Sequence, residues 1–123
     1  MGRSALAISL ILFLNTCWTL GQGTNLCLFY DPLKAQQNIR DGKPKLFLET
    51  GIAPIRYTND STVEKQFGFV YEDLGDLKSE SDSCLIVYSR VVFSYLDRRY
   101  GREWRRRCRK DVLFLKSIRY QSR

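Results

Sequence analysis

Hydrophobic positions along this chain change their spacing at several points, and each change marks an element. Cys84, Tyr88, Val91, Val92 and Tyr95 share one helical face when residues advance by about 100° each. Leu85, Ile86, Phe93, Leu96 and Tyr100 widen that face to well over half the circumference, leaving a polar wedge that holds Arg90, Ser94, Asp97 and Arg98. A stripe of about 100° suffices for a surface helix. The wider arc therefore predicts a buried central helix over residues 83–100, covered on at least two sides. Asp82 or Ser81 can cap its start, and Gly101 stands where a left-handed residue would end it.

Past Gly101 the apolar seam narrows. Trp104, Cys108, Val112 and Leu115 recur at helical spacing, with Arg102, Arg105, Arg106, Arg109 and Lys110 on the far side, which predicts a basic C-terminal helix over 102–116. From Arg98 to Lys110, eight of thirteen residues are Arg or Lys. Like charges four apart each cost about 0.2–0.5 kcal/mol on an isolated helix. Glu103 and Asp111 can each offset part of this by pairing with Arg107, and docking of Trp104 has to supply the rest. Leu113 and Phe114 leave the seam, so the helix either ends near them or carries a second contact patch.

Upstream the period shortens. Asn25 to Tyr30 is apolar and aromatic, a strand pattern, and Asp31-Pro32 then offers an N-cap with proline in the first turn. A two-turn helix over Leu33 to Arg40 follows, stopped by Asp41-Gly42. Lys45 to Glu49 and Phe69 to Leu74 read as strands, and Ile55 to Thr58 as a weaker one. Ser61 and Glu64 have capping-box spacing, with a helix to Phe67 ended by Gly68. Gly75 to Asp82 is a polar, acidic loop. The order predicts an α+β domain in which three or four strands pack on the helix at 83–100.

With 123 residues the chain is sized for one domain. Arg3, an apolar run from Ala5 to Leu14 and small residues at Thr19 and Gly21 resemble a secretory signal over residues 1–21. Residues 22–123 are then a single globular domain, secreted or periplasmic and monomeric. The apolar run is shorter than a spanning helix, and an uncleaved anchor or a lipid on Cys17 are the alternatives. The Thr preceding Cys17 is unusual for a lipid-attachment site. Beyond the signal stand Cys27, Cys84 and Cys108. An oxidising compartment favours one disulfide. Three pairings are open; Cys27–Cys84 is favoured, because Cys108 lies on an apolar seam where a thiol acts as a small hydrophobe.

The chain contains no histidine, which removes imidazole-based nucleophilic catalysis and most zinc sites. No glycine-rich phosphate loop and no CxxC pair is present. No cofactor, metal site or catalytic residue is expected. A carboxylate hydrolase would need Glu49, Glu72 and Asp97 to converge. Charge is the stronger signal: residues 22–82 carry seven basic and ten acidic groups, residues 83–123 twelve and three. Such asymmetry fits a polyanionic partner, bound through Arg98, Arg99, Arg102, Arg105, Arg106, Arg109 and Lys110. Acidic polysaccharide, nucleic acid and an anionic surface are the candidates. Otherwise the basic segment is a solvated face, or it lies against the acidic groups Glu72, Asp73, Asp76, Glu80 and Asp82. The domain then acts through other surface contacts, with another protein as partner. Arg90, Ser94 and Asp97 share the polar wedge of the central helix, where an internal ion pair is expected.

The run FSYLDRRYGREWRRRCRKDVLFLK, residues 93–116, resembles the C-terminal pattern F-x-Y-L-D-K-K-Y-G-K-x-W-R-K-x-x-R-K-D-V of small exported proteins of Bacteroidetes-type bacteria. GIAPIRY (51–57) and FGFVYEDLG (67–75) are similar to further stretches of that group. The resemblance implies export and a shared fold, with no assigned activity. Cys108 replaces a usually aliphatic residue.

Overall fold

The structure is a computed structural model that describes residues 27, 29–75 and 83–121. The signal segment 1–21, Cys17, the acidic loop residues Asp76, Glu80 and Asp82 and the Ser81/Asp82 cap lie outside the described residues. The elements are α1 (Pro32–Arg40), β1 (Lys45–Leu48), α2 (Asp60–Phe67), β2 (Val70–Asp73), α3 (Ser83–Tyr100) and α4 (Glu103–Arg107). Mixed helix and strand is as expected.

Local chemistry accounts for most boundaries. The Asp31 carboxylate accepts from the Lys34 N–H at 2.6 Å, and Pro32 opens α1, where its missing donor would be unpaired anyway. At the other end of the chain, Gly101 takes φ +64° after Tyr100, and its N–H bonds to the Asp97 carbonyl. Ser61 and Glu64 do not form the expected capping box. Asn59 is the N-cap of α2, without a side-chain bond. Glu64 instead accepts from the Tyr71 N–H at 3.1 Å and from Arg56 at 2.7 Å, so tertiary partners replace the local one.

Among the described residues the sheet has two strands where three or four were expected. Among the described residues β1 and β2 alone form it, parallel, with Lys45 opposite Val70 and Leu48 opposite Asp73, and α2 connects them. On the other edge of β1 the C-terminal segment contributes one antiparallel bridge, Leu48 to Val112, and the Leu113 N–H donates to the Phe47 carbonyl at 2.9 Å. Cys27, Phe29 and Tyr30, the described part of the first predicted strand, lie outside any strand. Cys27 is held by a disulfide to Cys84 in the first turn of α3, the favoured pairing. Tyr30 contributes its ring, edge-on to Phe47 and Tyr88, in place of its backbone. Residues 55–58 are loop as well, because their backbone is claimed by side chains of Asp60 and Arg109.

The long helix α3 is buried as its wide apolar arc requires: Leu85, Tyr88, Val92, Phe93 and Leu96 are in the core with Leu46, Phe47 and Leu48 of β1 and Trp104 of α4. The Tyr88 hydroxyl accepts from Asn38 Nδ2 at 2.7 Å and from the Lys45 N–H at 3.2 Å, tying α1 and β1 to α3. Burial pushes its pKa up, against the two hydrogen bonds. Among the described residues no helix is long and apolar enough to cross a membrane.

The C-terminal helix ends far short of Lys116. It covers Glu103–Arg107, and Cys108 already has extended backbone. Continuing the helix would keep four or more arginines in mutual repulsion on one cylinder. Breaking it lets Val112 reach β1 and turns Arg109 inward. The Lys110 ammonium caps the helix end by donating to the Arg105 and Arg106 carbonyls at 2.9 and 3.1 Å. Phe114 adopts φ +66° in the turns beyond, an unusual conformation for an aromatic residue.

Candidate functional site

The seven cationic residues singled out by sequence divide into inward and outward groups. Arg105 and Arg109, expected on the solvent side, point inward, their side chains only 14% and 7% exposed. A helix–turn reversal at Gly101 brings Asp97 and Arg105 face to face. Arg105 forms a two-pronged pair with Asp97, Nε to Oδ1 at 2.9 Å and Nη2 to Oδ2 at 3.0 Å. Its Nη1 donates to the Ile118 carbonyl at 2.7 Å. Asp97 also accepts from Trp104 Nε1 at 2.9 Å and from the Gln121 N–H at 3.1 Å. The polar wedge of α3 thus contains a buried ion pair, made with Arg105 and not with Arg90.

Arg109 builds a second node. It donates through Nε and Nη2 to Asp111, and through Nη1 to buried Asp60 at 3.2 Å and to the Ile55 carbonyl at 2.7 Å. Its guanidinium lies 4.6 Å from the Tyr57 ring centroid. Donating to the Asp111 carboxylate raises its pKa, against the cost of burial. The backbone N–H of Arg109 donates to the Tyr71 hydroxyl at 3.0 Å. Glu103 pairs with Arg106 at 3.8 Å, so neither acidic residue took up Arg107 as expected.

Outward cations gather in an open cleft of about 460 Å³ lined by Arg102, Arg106, Lys110, Arg119, Tyr120 and the edge of Arg105. The Arg102 guanidinium stacks over the Tyr120 ring at 4.7 Å. Arg119 and Tyr120 lie outside the basic run, and charge counting did not single them out. They arrive because the Gln121 N–H bonds to Asp97 and folds the tail back across α4. Arg98 and Arg99 do not line this cleft; Arg99 donates to the Tyr100 hydroxyl at 3.1 Å.

The carboxylates needed for hydrolysis each serve partners of their own. Glu72 accepts from the Tyr30 hydroxyl and pairs with Lys45 at 3.6 Å, whereas Asp97 holds Trp104 and Arg105. Asp73 has a lowered pKa: its slight burial raises it, but bonds from Thr50 and the Gly75 N–H outweigh that. Among the described residues no three His, Cys, Asp or Glu side chains gather as metal ligands. Cys108 is a free buried thiol, and burial pushes its pKa up to about 11 despite nearby Lys110 and Arg105, far from a reactive thiolate. No protein-family model, curated protein or solved structure matches the chain.

Proposed function

We propose that this is an exported, non-catalytic domain that works by surface contact, and that its working face binds a polyanion through Arg102, Arg106, Arg119 and Lys110. One observation carries the reading. These cations share an open cleft with Tyr120, while Arg105 and Arg109 are neutralised inside and brace the segment that presents them. Guanidinium groups suit phosphate, sulfate and carboxylate alike, and an adjacent ring adds a stacking surface. Export is supported by the Cys27–Cys84 disulfide, which is at home in an oxidising compartment. The resemblance of residues 93–116 to exported bacterial proteins points the same way.

Retention on immobilised heparin along a salt gradient tests the reading. The Arg102→Ala/Arg106→Ala/Arg119→Ala protein should elute well before the wild type. Its salt slope should be shallower by about 1 per cation removed, as for phosphate contacts. Arg98→Ala/Arg99→Ala, outside the cleft, should shift elution less. Identical elution of the triple variant and the wild type ends the proposal.

A further inference from the structure

The cationic cleft adjoins a second one, lined in part by a different stretch of the chain. This second open cleft, of about 420 Å³, shares Lys110 with the first and counts both Tyr57 and Arg107 in its lining. Tyr57 belongs to the loop that leaves β1, and this loop holds three large side chains in water. Ile52 is 94% exposed, Tyr57 55% and Ile55 47%. Scattered exposed apolar residues need no explanation, but three within six positions on one loop do.

That loop is fastened. The Gly51 N–H donates to the Gly75 carbonyl at 2.9 Å, the Tyr57 N–H to Asp60 at 2.8 Å, and Arg109 Nη1 to the Ile55 carbonyl at 2.7 Å. The basic segment therefore grips the apolar loop directly. Arg107 and Lys110 line the second cleft together with Tyr57 of the loop, while Arg56 is paired with Glu64 at 2.7 Å. Asp60 and Asp111, the carboxylates lining the shared cleft, are both paired with Arg109.

We propose that this composite face docks on an anionic lipid bilayer, with Ile52, Ile55 and Tyr57 entering the interface and the cations lying at headgroup level. The inference rests on the polyanion reading above and names the polyanion. A dissolved polymer answers the charge and leaves Ile52 in water, whereas an anionic bilayer answers both. Tyrosine, with an apolar ring and a polar tip, suits the boundary between the two. The seam of the basic segment could not play this part, because Trp104, Cys108 and Val112 are spent in the core.

Co-sedimentation of the full chain with vesicles of phosphatidylcholine, with and without phosphatidylglycerol, tests this. Residues 5–14 are common to every variant, and the neutral vesicles read their contribution. Ile52→Ser/Ile55→Ser alters side chains that face water, so folding is not at stake. It should weaken binding to phosphatidylglycerol vesicles by roughly tenfold or more, with heparin retention unchanged. Leu33→Ser, at a 73% exposed site on α1 in a separate cleft, should change neither. Vesicle binding by the loop variant equal to wild type overturns membrane docking and leaves the polyanion reading standing. An equal loss from Leu33→Ser also overturns it, as non-specific adhesion. A triple arginine variant unchanged on both heparin and vesicles removes the polyanion reading, and this inference with it.

Discussion

In the β1–α2–β2 unit, backbone groups are paired mainly with other backbone groups, whereas from Glu103 to Gln121 side chains share that task with short backbone turns. Val70 and Leu74 donate to the Pro44 and Leu48 carbonyls, extending the parallel ladder at both ends. In the C-terminal segment, the Ile118 carbonyl is met by Arg105, those of Arg105 and Arg106 by Lys110, and the Arg109 N–H by the Tyr71 hydroxyl. Buried backbone must be satisfied in either case. The ladder does this with almost any apolar sequence, while the second arrangement depends on particular charged side chains. Arginine here supplements the backbone turns, and Arg105 and Arg109, which look available for a ligand, are spent on buried carboxylates.

If that contrast holds, Asp97→Ala has the largest effect. It strands a buried guanidinium and the Trp104 indole, which should cost about 3–5 kcal/mol in a urea titration. Amide exchange should accelerate first at Cys108, Leu113 and Ile118, with Val70 and Leu74 still protected. Uniform loss across both regions would show that they are one cooperative unit and that the contrast is only geometric. Asp60→Ala comes next. Arg109 keeps Asp111, so the cost should be about 1–3 kcal/mol. The Tyr57 and Ile55 backbone should become the newly exchanging part, and an unchanged loop would mean that Arg109 alone holds it.

The smallest effect is expected at high pH. Burial pushes Tyr30 and Tyr71 up from 10.0 to about 12, with Glu72 adding to Tyr30 and the Arg109 N–H opposing at Tyr71. Raised values mean that the fold favours the neutral phenols. Their stabilisation is complete below pH 10 and declines as pH rises from 10 towards 12. Tyr71→Phe should cost about 1 kcal/mol at neutral pH by removing the acceptor for the Arg109 N–H. The variant should also lose part of the alkaline sensitivity, and a denaturation profile against pH that matches wild type would contradict this.

Much of the fold was legible. The wide apolar arc gave the buried helix at 83–100, Asp31-Pro32 gave α1, and the glycines after Phe67 and Tyr100 gave two helix ends. Those signals are local, because capping and periodicity act within a few residues. The strand predicted over Ile55 to Thr58 is loop, and Cys27, Phe29 and Tyr30 lie outside any strand, because such patterns are short and pairing is decided by what lies alongside. The helix predicted over 102–116 failed for a related reason. Trp104, Cys108 and Val112 are buried as their seam requires, yet extended backbone after Cys108 buries them equally well.

The sequence by itself determined the central helix and the gathering of positive charge in the last third of the chain, and it favoured Cys27–Cys84 among three open pairings. Tertiary structure alone decided which cations face water. Each arginine carries the same charge wherever it stands, and only the carboxylates brought near by folding, Asp97 for Arg105 and Asp60 for Arg109, separate the braces from the surface. The meeting of the Ile55 loop with that surface was likewise invisible in the chain, because residues some fifty places apart meet only when Arg109 reaches the Ile55 carbonyl.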